Sequence, residues 1–265
     1  MMKKIIVASF VVLVALASVS QSCADEWKSG IQWEKPPVVD PGPETAPANV
    51  PSDAVVLFGG TSMDAWNNGE NWPIKEGVVY SGKGAVSTKQ SFGSVQLHVE
   101  FATPSKVSGS GQGRGNSGVF WGPYEVQVLD SYENETYYDG QCGSIYKQNP
   151  PMANVCRKPG EWQSYDIIFM RPQFDESGNL VKPMYVTVFQ NGVLVQNHIQ
   201  VKGTTAWHEP PAYTRHEAKM PISLQDHGNP VRFRNIWLRE IPDTPVCPVE
   251  EKSPVKPADI FGSQE

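Results

Sequence analysis

Residues 124 to 130, YEVQVLD, place Glu125 and Gln127 in strict alternation with Val126 and Val128. On a β-strand that spacing sends the carboxyl and the amide to one face and the valines to the other. A strand-borne carboxylate suits glycoside chemistry, but retaining hydrolysis needs two carboxyl groups about 5–5.5 Å apart. The next residue of the same parity is Leu129, and Asp130 falls on the opposite parity, joining the face only if the strand has already ended. Ordinary two-carboxylate hydrolysis is therefore disfavoured, and a solvated strand face is the plain alternative.

A second constellation lies in LQDHGNPVRFRNIWLR, 224 to 239. Gln225, Asp226 and His227 precede a Gly-Asn-Pro turn, and the strand that follows sets Arg232 and Arg234 opposite Phe233 and Trp237. A histidine at the mouth of a strand with two arginines on one face suits an oxyanion or sugar hydroxyls. Pairing with surface acids is the commoner fate of such arginines. Flat rings stack on the C–H faces of sugars, and Trp66, Trp72, Trp121, Tyr146 and Trp162 flank loops or strand ends. Most should be core, with Tyr146 a candidate for a cleft. His98, between Gln96 and Glu100, reads as solvated.

The elements that must position these residues have the period of strands. FGSVQLHVEF puts Val95, Leu97, Val99 and Phe101 on one side, and WQSYDIIFM, MYVTVFQ, VLVQNHIQ and VRFRNIWLRE are similar short runs between turn residues. Asn191-Gly192, between TVFQ and VLVQNH, predicts a type I′ hairpin, since both central positions need positive φ. The expected fold is all-β, an antiparallel jelly-roll sandwich.

Around this domain, residues 52–242, the chain reads differently. Residues 1–24, with Lys3 and Lys4 ahead of an apolar run from Ile5 to Ala17, read as a signal peptide. The expected location is secreted or periplasmic, with lipid attachment at Cys23 as the alternative. The apolar run is too short to span a bilayer, and no integral membrane segment is expected after its removal. Residues 25–51 form a Pro-rich arm carrying Trp27 and Trp33, and 243–265 a Pro-rich, charged tail. Losing two lysines with the leader takes the net charge from −6 to −8, which argues against nucleic acid as a partner. In an oxidising compartment Cys142 and Cys156 are expected to form a disulfide across a Pro- and Asn-rich loop.

PSDAVVLFGG, NSGVFWGPYEVQVLDSY, GSIYKQ, PGEWQSYDIIFMRPQF, TVFQNGVLVQN and PISLQDHGNPVRFRNIWLRE together resemble the 3-keto-disaccharide (3-keto-glycoside) hydrolase domain of bacterial secreted proteins, over roughly residues 52 to 241. The resemblance implies a concanavalin A-like sandwich and, as substrate partner, a carbohydrate whose C3 hydroxyl is oxidised to a ketone. Such a ketone acidifies the C2 proton, so the glycosidic bond can break by β-elimination followed by hydration. One base then suffices, with groups to stabilise an enediolate. The expected roles are Glu125 and His227 as base and acid in either order, with Gln127, Asp130, Tyr146, Gln225 and Arg234 binding substrate. A divalent metal ion is the alternative to the arginine, and Glu125, Asp130 and His227 are the residues that could contribute ligands. A non-catalytic lectin-like module is the rival reading of the same fold.

Overall fold

A computed structural model describes residues 26–243. The leader with Cys23, and the tail beyond Asp243 with Cys247, lie outside the described residues. The larger of two antiparallel sheets runs β13 (Val193–Gln200), β12 (Tyr185–Gln190), β9 (Gln163–Met170), β6 (Ser94–Ala102), β15 (Arg232–Ile241), β4 (Val78–Tyr80), β3 (Ile74–Lys75), with β1 (Val55–Phe58) also on β15. The smaller runs β2 (Trp66–Asn67), β5 (Val86–Thr88), β14 (Ile222–Leu224), β7 (Ser117–Trp121), β8 (Tyr124–Val128). A separate ribbon pairs β10 (Gln173–Phe174) with β11 (Leu180–Lys182). This is the jelly-roll sandwich expected from the strand periods.

Alternation builds the core. Val95, Leu97, Val99 and Phe101 of β6 are fully buried, and Leu97 sits between Ile167 of β9 and Leu238 of β15. From the smaller sheet Val119, Trp121, Val126, Val128, Ile222 and Leu224 belong to the same core. Each such side chain contributes about 1.5–3 kcal/mol by leaving water. Asn191 and Gly192 join β12 to β13 at φ 54° and 80°, the conformation that the hairpin dipeptide predicts. Asn191 is also anchored by its side chain, whose Oδ1 accepts from Ser164 N–H and Arg157, each at 2.9 Å.

Two expectations fail for local reasons. In β15 the ladder to β6 slips between Arg234, opposite Glu100, and Trp237, opposite His98. Three steps on one strand match two on the other, and the extra residue is accommodated where Asn235 takes φ 47°. The bulge reverses parity, so Trp237 lies on the face of Arg234 and stacks on His98 with 4.9 Å between ring centres. The disulfide is also absent: Cys142 and Cys156 are buried free thiols. They are neighbours, since Gln190 Nε2 reaches their sulfurs at 3.5 and 3.4 Å. The Tyr165 hydroxyl donates to the Gln127 carbonyl at 2.6 Å and lies 3.0 Å from the Cys142 sulfur.

The arm lies along the domain. Trp33 donates from its ring N–H to Asp139 at 3.2 Å, and Trp27 from its backbone N–H to the Trp207 carbonyl at 2.9 Å. Further on, Arg157 donates to the carbonyls of Gly42 and Pro43, and Ala48 N–H donates to Glu100 at 3.0 Å. From Pro41 to Ala48 the arm thereby covers part of the outer face of the larger sheet, around Glu100 and Arg157.

Candidate active site

On the smaller sheet the polar residues of β8 face away from the core, as the alternation requires. In the β7–β8 ladder Gly118 lies opposite Gln127 and Phe120 opposite Glu125, so this face carries an acid, an amide, a ring and a bare backbone. The bare position makes room for the acid: a Cβ on Gly118 would meet Glu125 Oε1 at 2.5 Å and the Phe120 ring at 2.6 Å. Gln225, just past β14, donates its N–H to the Gly118 carbonyl at 3.0 Å.

Loops turn this face into the floor of a cleft of about 670 Å³, within the range of small-molecule sites. Gln112 and Asn116 wall one side, Tyr137 and Tyr146 another, and Thr205 and Trp207 a third, with Gln225 and His227 at the margin. Tyr137 and Tyr146 share a 2.7 Å hydrogen bond between their hydroxyls. Behind them the buried Lys147 sits 3.8 Å from the centre of the Tyr137 ring and pairs with Glu26 of the arm. Trp207, 47% exposed, offers its ring to solvent at the rim.

Among the described residues, Glu125 is the only carboxylate, and His227 the only imidazole, lining this cleft. Glu125 is 5% exposed, and loss of hydration raises its pKa to about 8. Such a group is close to half ionised in the range where a base of matched strength is most effective. Gln225 Oε1 is buried without a partner, an acceptor left for a ligand hydroxyl. Burial also raises Tyr146 to about 12, and raises Tyr137, so both tyrosines stay protonated, one donating to the other and the other left with a free O–H.

The structure thus brings together Glu125, His227, Gln127, Tyr146 and Gln225 from the sequence expectation and removes two others. Arg234 lies on the outer face of the larger sheet, across the core. Its Nε is 2.6 Å from Glu100 Oε2, and its guanidinium lies 4.0 Å from the centre of the Trp162 ring. The surface-acid alternative describes that arginine better. Asp130, beyond the end of β8, accepts from Arg114 Nε at 2.6 Å and from Tyr132 N–H, and it faces a different depression, with Arg114 and Asn229. The suggested metal set fails with it, since no group of three His, Cys, Asp or Glu among the described residues is placed to hold a metal ion. His98 is buried, not solvated. Burial pulls its pKa down, but Asp166 at 2.8 Å and Glu100 at 3.5 Å overrule that and raise it to about 9.

Gln112, Asn116, Phe120, Tyr137, Thr205 and Trp207 were not singled out from the sequence. Phe120 was within reach, because it alternates with Val119 and Trp121 and so must point with Gly118 toward the cleft. The others are on loops, where no period says which way a side chain points.

The family model for the 3-keto-alpha-glucoside-1,2-lyase-like domain matches residues 53–239. Among solved structures, a "putative glycosyl hydrolase" from Parabacteroides distasonis ATCC 8503 is 47% identical, with the match covering 80% of this chain and 95% of that one at a TM-score of 0.71. A second structure of that description and organism is 25% identical, covering 71% and 99% at a TM-score of 0.50. A third, 19% identical over 72% and 94% with a TM-score of 0.53, shares the fold. Comparison with curated proteins yields no match. The chain belongs to the 3-keto-alpha-glucoside-1,2-lyase-like domain family.

Proposed function

We propose that this protein is a secreted carbohydrate-active enzyme that cleaves 3-keto-glycosides by elimination and hydration, with Glu125 as the base. The observation that carries this reading is a buried carboxyl that, among the described residues, stands alone on the floor of an otherwise uncharged, aromatic-walled cleft, with a single imidazole at its margin. The family match supports the substrate class.

Glu125 takes the C2 proton made acidic by the C3 ketone, and the C2–H electron pair forms an enediolate whose charge rests on the C3 oxygen. The one hydroxyl proton that the Tyr137–Tyr146 pair leaves free is the donor that can meet that oxygen, while Gln225 Oε1 can accept from a sugar hydroxyl. As the enediolate collapses, the C1–O bond breaks and His227 protonates the departing aglycone oxygen. Water then adds to C1 and gives its proton to His227, and Glu125, whose proton has exchanged with solvent as the aglycone leaves, protonates C2, so the sum is glycoside plus water giving 3-keto-sugar plus aglycone alcohol. Phe120 and Trp207 supply the flat apolar surface on which a pyranose ring can stack.

Incubating the mature protein with a 3-keto-glucoside and with its unoxidised parent tests this reading. Aglycone release is expected from the keto form alone, and in D₂O the released 3-keto-sugar should carry deuterium at C2. Binding of the unoxidised sugar with no product from either form would select the lectin-like reading. Release without C2 exchange would remove the elimination step.

A further inference from the structure

We infer that Gln127 is a positioning residue whose side-chain amide turns over with the proton on Glu125, making Gln112 a controller of that proton although it has no hydrogen bond to Glu125. This rests on the reading of Glu125 as the base. In one orientation Gln127 Nε2 donates to Gln112 Oε1 at 2.9 Å, which leaves Gln127 Oε1 at 3.0 Å from Glu125 Oε1 and 2.9 Å from the Ser117 carbonyl. Two acceptor oxygens share 3.0 Å comfortably only with a proton between them, so this orientation belongs to the carboxylic acid, donating to Gln127. In the other orientation the amide nitrogen donates to Glu125 Oε1 and Ser117 O, and the amide oxygen abuts Gln112 Oε1 at 2.9 Å. That is the partner set of a carboxylate.

Gln112 cannot turn in step. Its Nε2 is held by the Gly140 carbonyl at 2.8 Å and by Thr136 Oγ1 at 2.9 Å, so its Oε1 is fixed as an acceptor. Each orientation of Gln127 therefore leaves one oxygen pair unbridged, with Ser117 O in the first and with Gln112 Oε1 in the second. Two states whose choice is set by one proton form a two-state element. The amide accepts from the acid after Glu125 has taken the C2 proton, and turns to donate once the proton has been returned.

Except for His227, the other ionisable groups facing Glu125 keep their own partners. β7 carries none, and neither does the 205–207 loop. The 137–147 loop brings Tyr137 and Tyr146, bonded to each other, with Asp139 on Trp33 and Lys147 on Glu26. The 111–116 loop brings Arg114, held by Asp130, and the 225–227 loop brings His227 and Asp226, the latter accepting from Gly84 N–H.

The Glu125 carboxyl can be titrated without substrate by its infrared C=O band, assigned by its loss in Glu125→Gln. Gln112→Met removes the acceptor that holds Gln127 away from the carboxylate, and should lower the Glu125 midpoint by about one pH unit. The shift should vanish when Gln127→Met is the background. An unchanged midpoint in Gln112→Met, or the same drop without Gln127, overturns the coupling whether or not the protein cleaves keto-glycosides. In the unaltered protein the Gln127 side-chain amide resonances should move with the Glu125 midpoint. Invariance across that range also overturns it.

Discussion

Two outer faces of this sandwich each bury a strand glutamate to nearly the same degree, Glu100 at 4% and Glu125 at 5% exposed, yet the two carboxyls are about six pH units apart. Burial raises both. On the larger sheet His98, Asn235, Arg234 and the Ala48 N–H overrule it and hold Glu100 at about 2. On the smaller sheet no cation overrules it, and Glu125 rests at about 8. The difference is in partners and not in depth: one face pairs its charges under the arm, while the other keeps its acid without a cation and open to a ligand. A carboxyl kept in that second state gives up stability and gains the ability to exchange a proton near neutrality.

The largest expected effect comes from removing the unpaired acid. Glu125→Gln should lower turnover of a 3-keto-glycoside by 10²–10⁴-fold, as expected for loss of a general base. The same change should stabilise the protein at alkaline pH. A carboxyl whose folded pKa lies above its unfolded value costs nothing while both states are protonated. From pH 4.5 upward the unfolded chain ionises first, and stability falls until the folded pKa near 8 is passed. Melting curves of parent and variant should therefore coincide near pH 4 and separate up to pH 8, by roughly 2–4 kcal/mol. In the parent, kcat/KM should climb with pH through about 8. A fall across that range would give Glu125 the role of acid and His227 that of base.

The contrast between the faces was only half legible in the sequence. YEVQVLD and QLHVEF have the same alternation, and neither shows what covers its polar side. Glu125 stood out because its neighbour in the alternation was an amide and not a second acid. His98 and Glu100 read as solvated because their roof, Ala48 and the arm around it, is an irregular proline-rich segment some 50 residues upstream. Arg234 was displaced from the site by topology: β15 is central in one sheet while β8 is the edge of the other, a placement that strand periods do not encode. The Trp237 error came from one bulged residue, since a single insertion reverses every later parity.

A smaller expected effect separates the space for the acid from its chemistry. Gly118→Ala would put a methyl group 2.5 Å from Glu125 Oε1, against the Phe120 ring, so the carboxyl must move. A displacement of this order is expected to cost about 10²-fold in kcat while β7 stays paired. The discriminating readout is the melting temperature beside the rate. A loss of rate with a small change in melting supports misplacement, and an equal loss of both would mean that the strand itself has failed.

On the paired face the expectation reverses, with stability lost and rate kept. Glu100→Gln leaves Arg234 and His98 without their shared acceptor and should cost about 3 kcal/mol at pH 7. Because the folded pKa of Glu100 is depressed, its contribution is present above the unfolded value of 4.5 and disappears as pH falls toward 2. Parent and variant should therefore melt alike at pH 2 and differ at pH 7, the mirror image of the Glu125 pair.

The smallest effect on activity is expected from Arg234→Met, which keeps apolar contact with Trp162 and removes the charge. If Arg234 only holds Glu100 and the arm, kcat/KM for a keto-glycoside should change by less than about twofold, while stability falls by about 2 kcal/mol. Arg234 lines a separate outer cleft of about 280 Å³ beside His98 and Glu100, so no substrate seated over Glu125 can reach it. A tenfold loss of kcat/KM with unchanged melting would return the arginine to the substrate, and the two faces could then no longer be treated as independent.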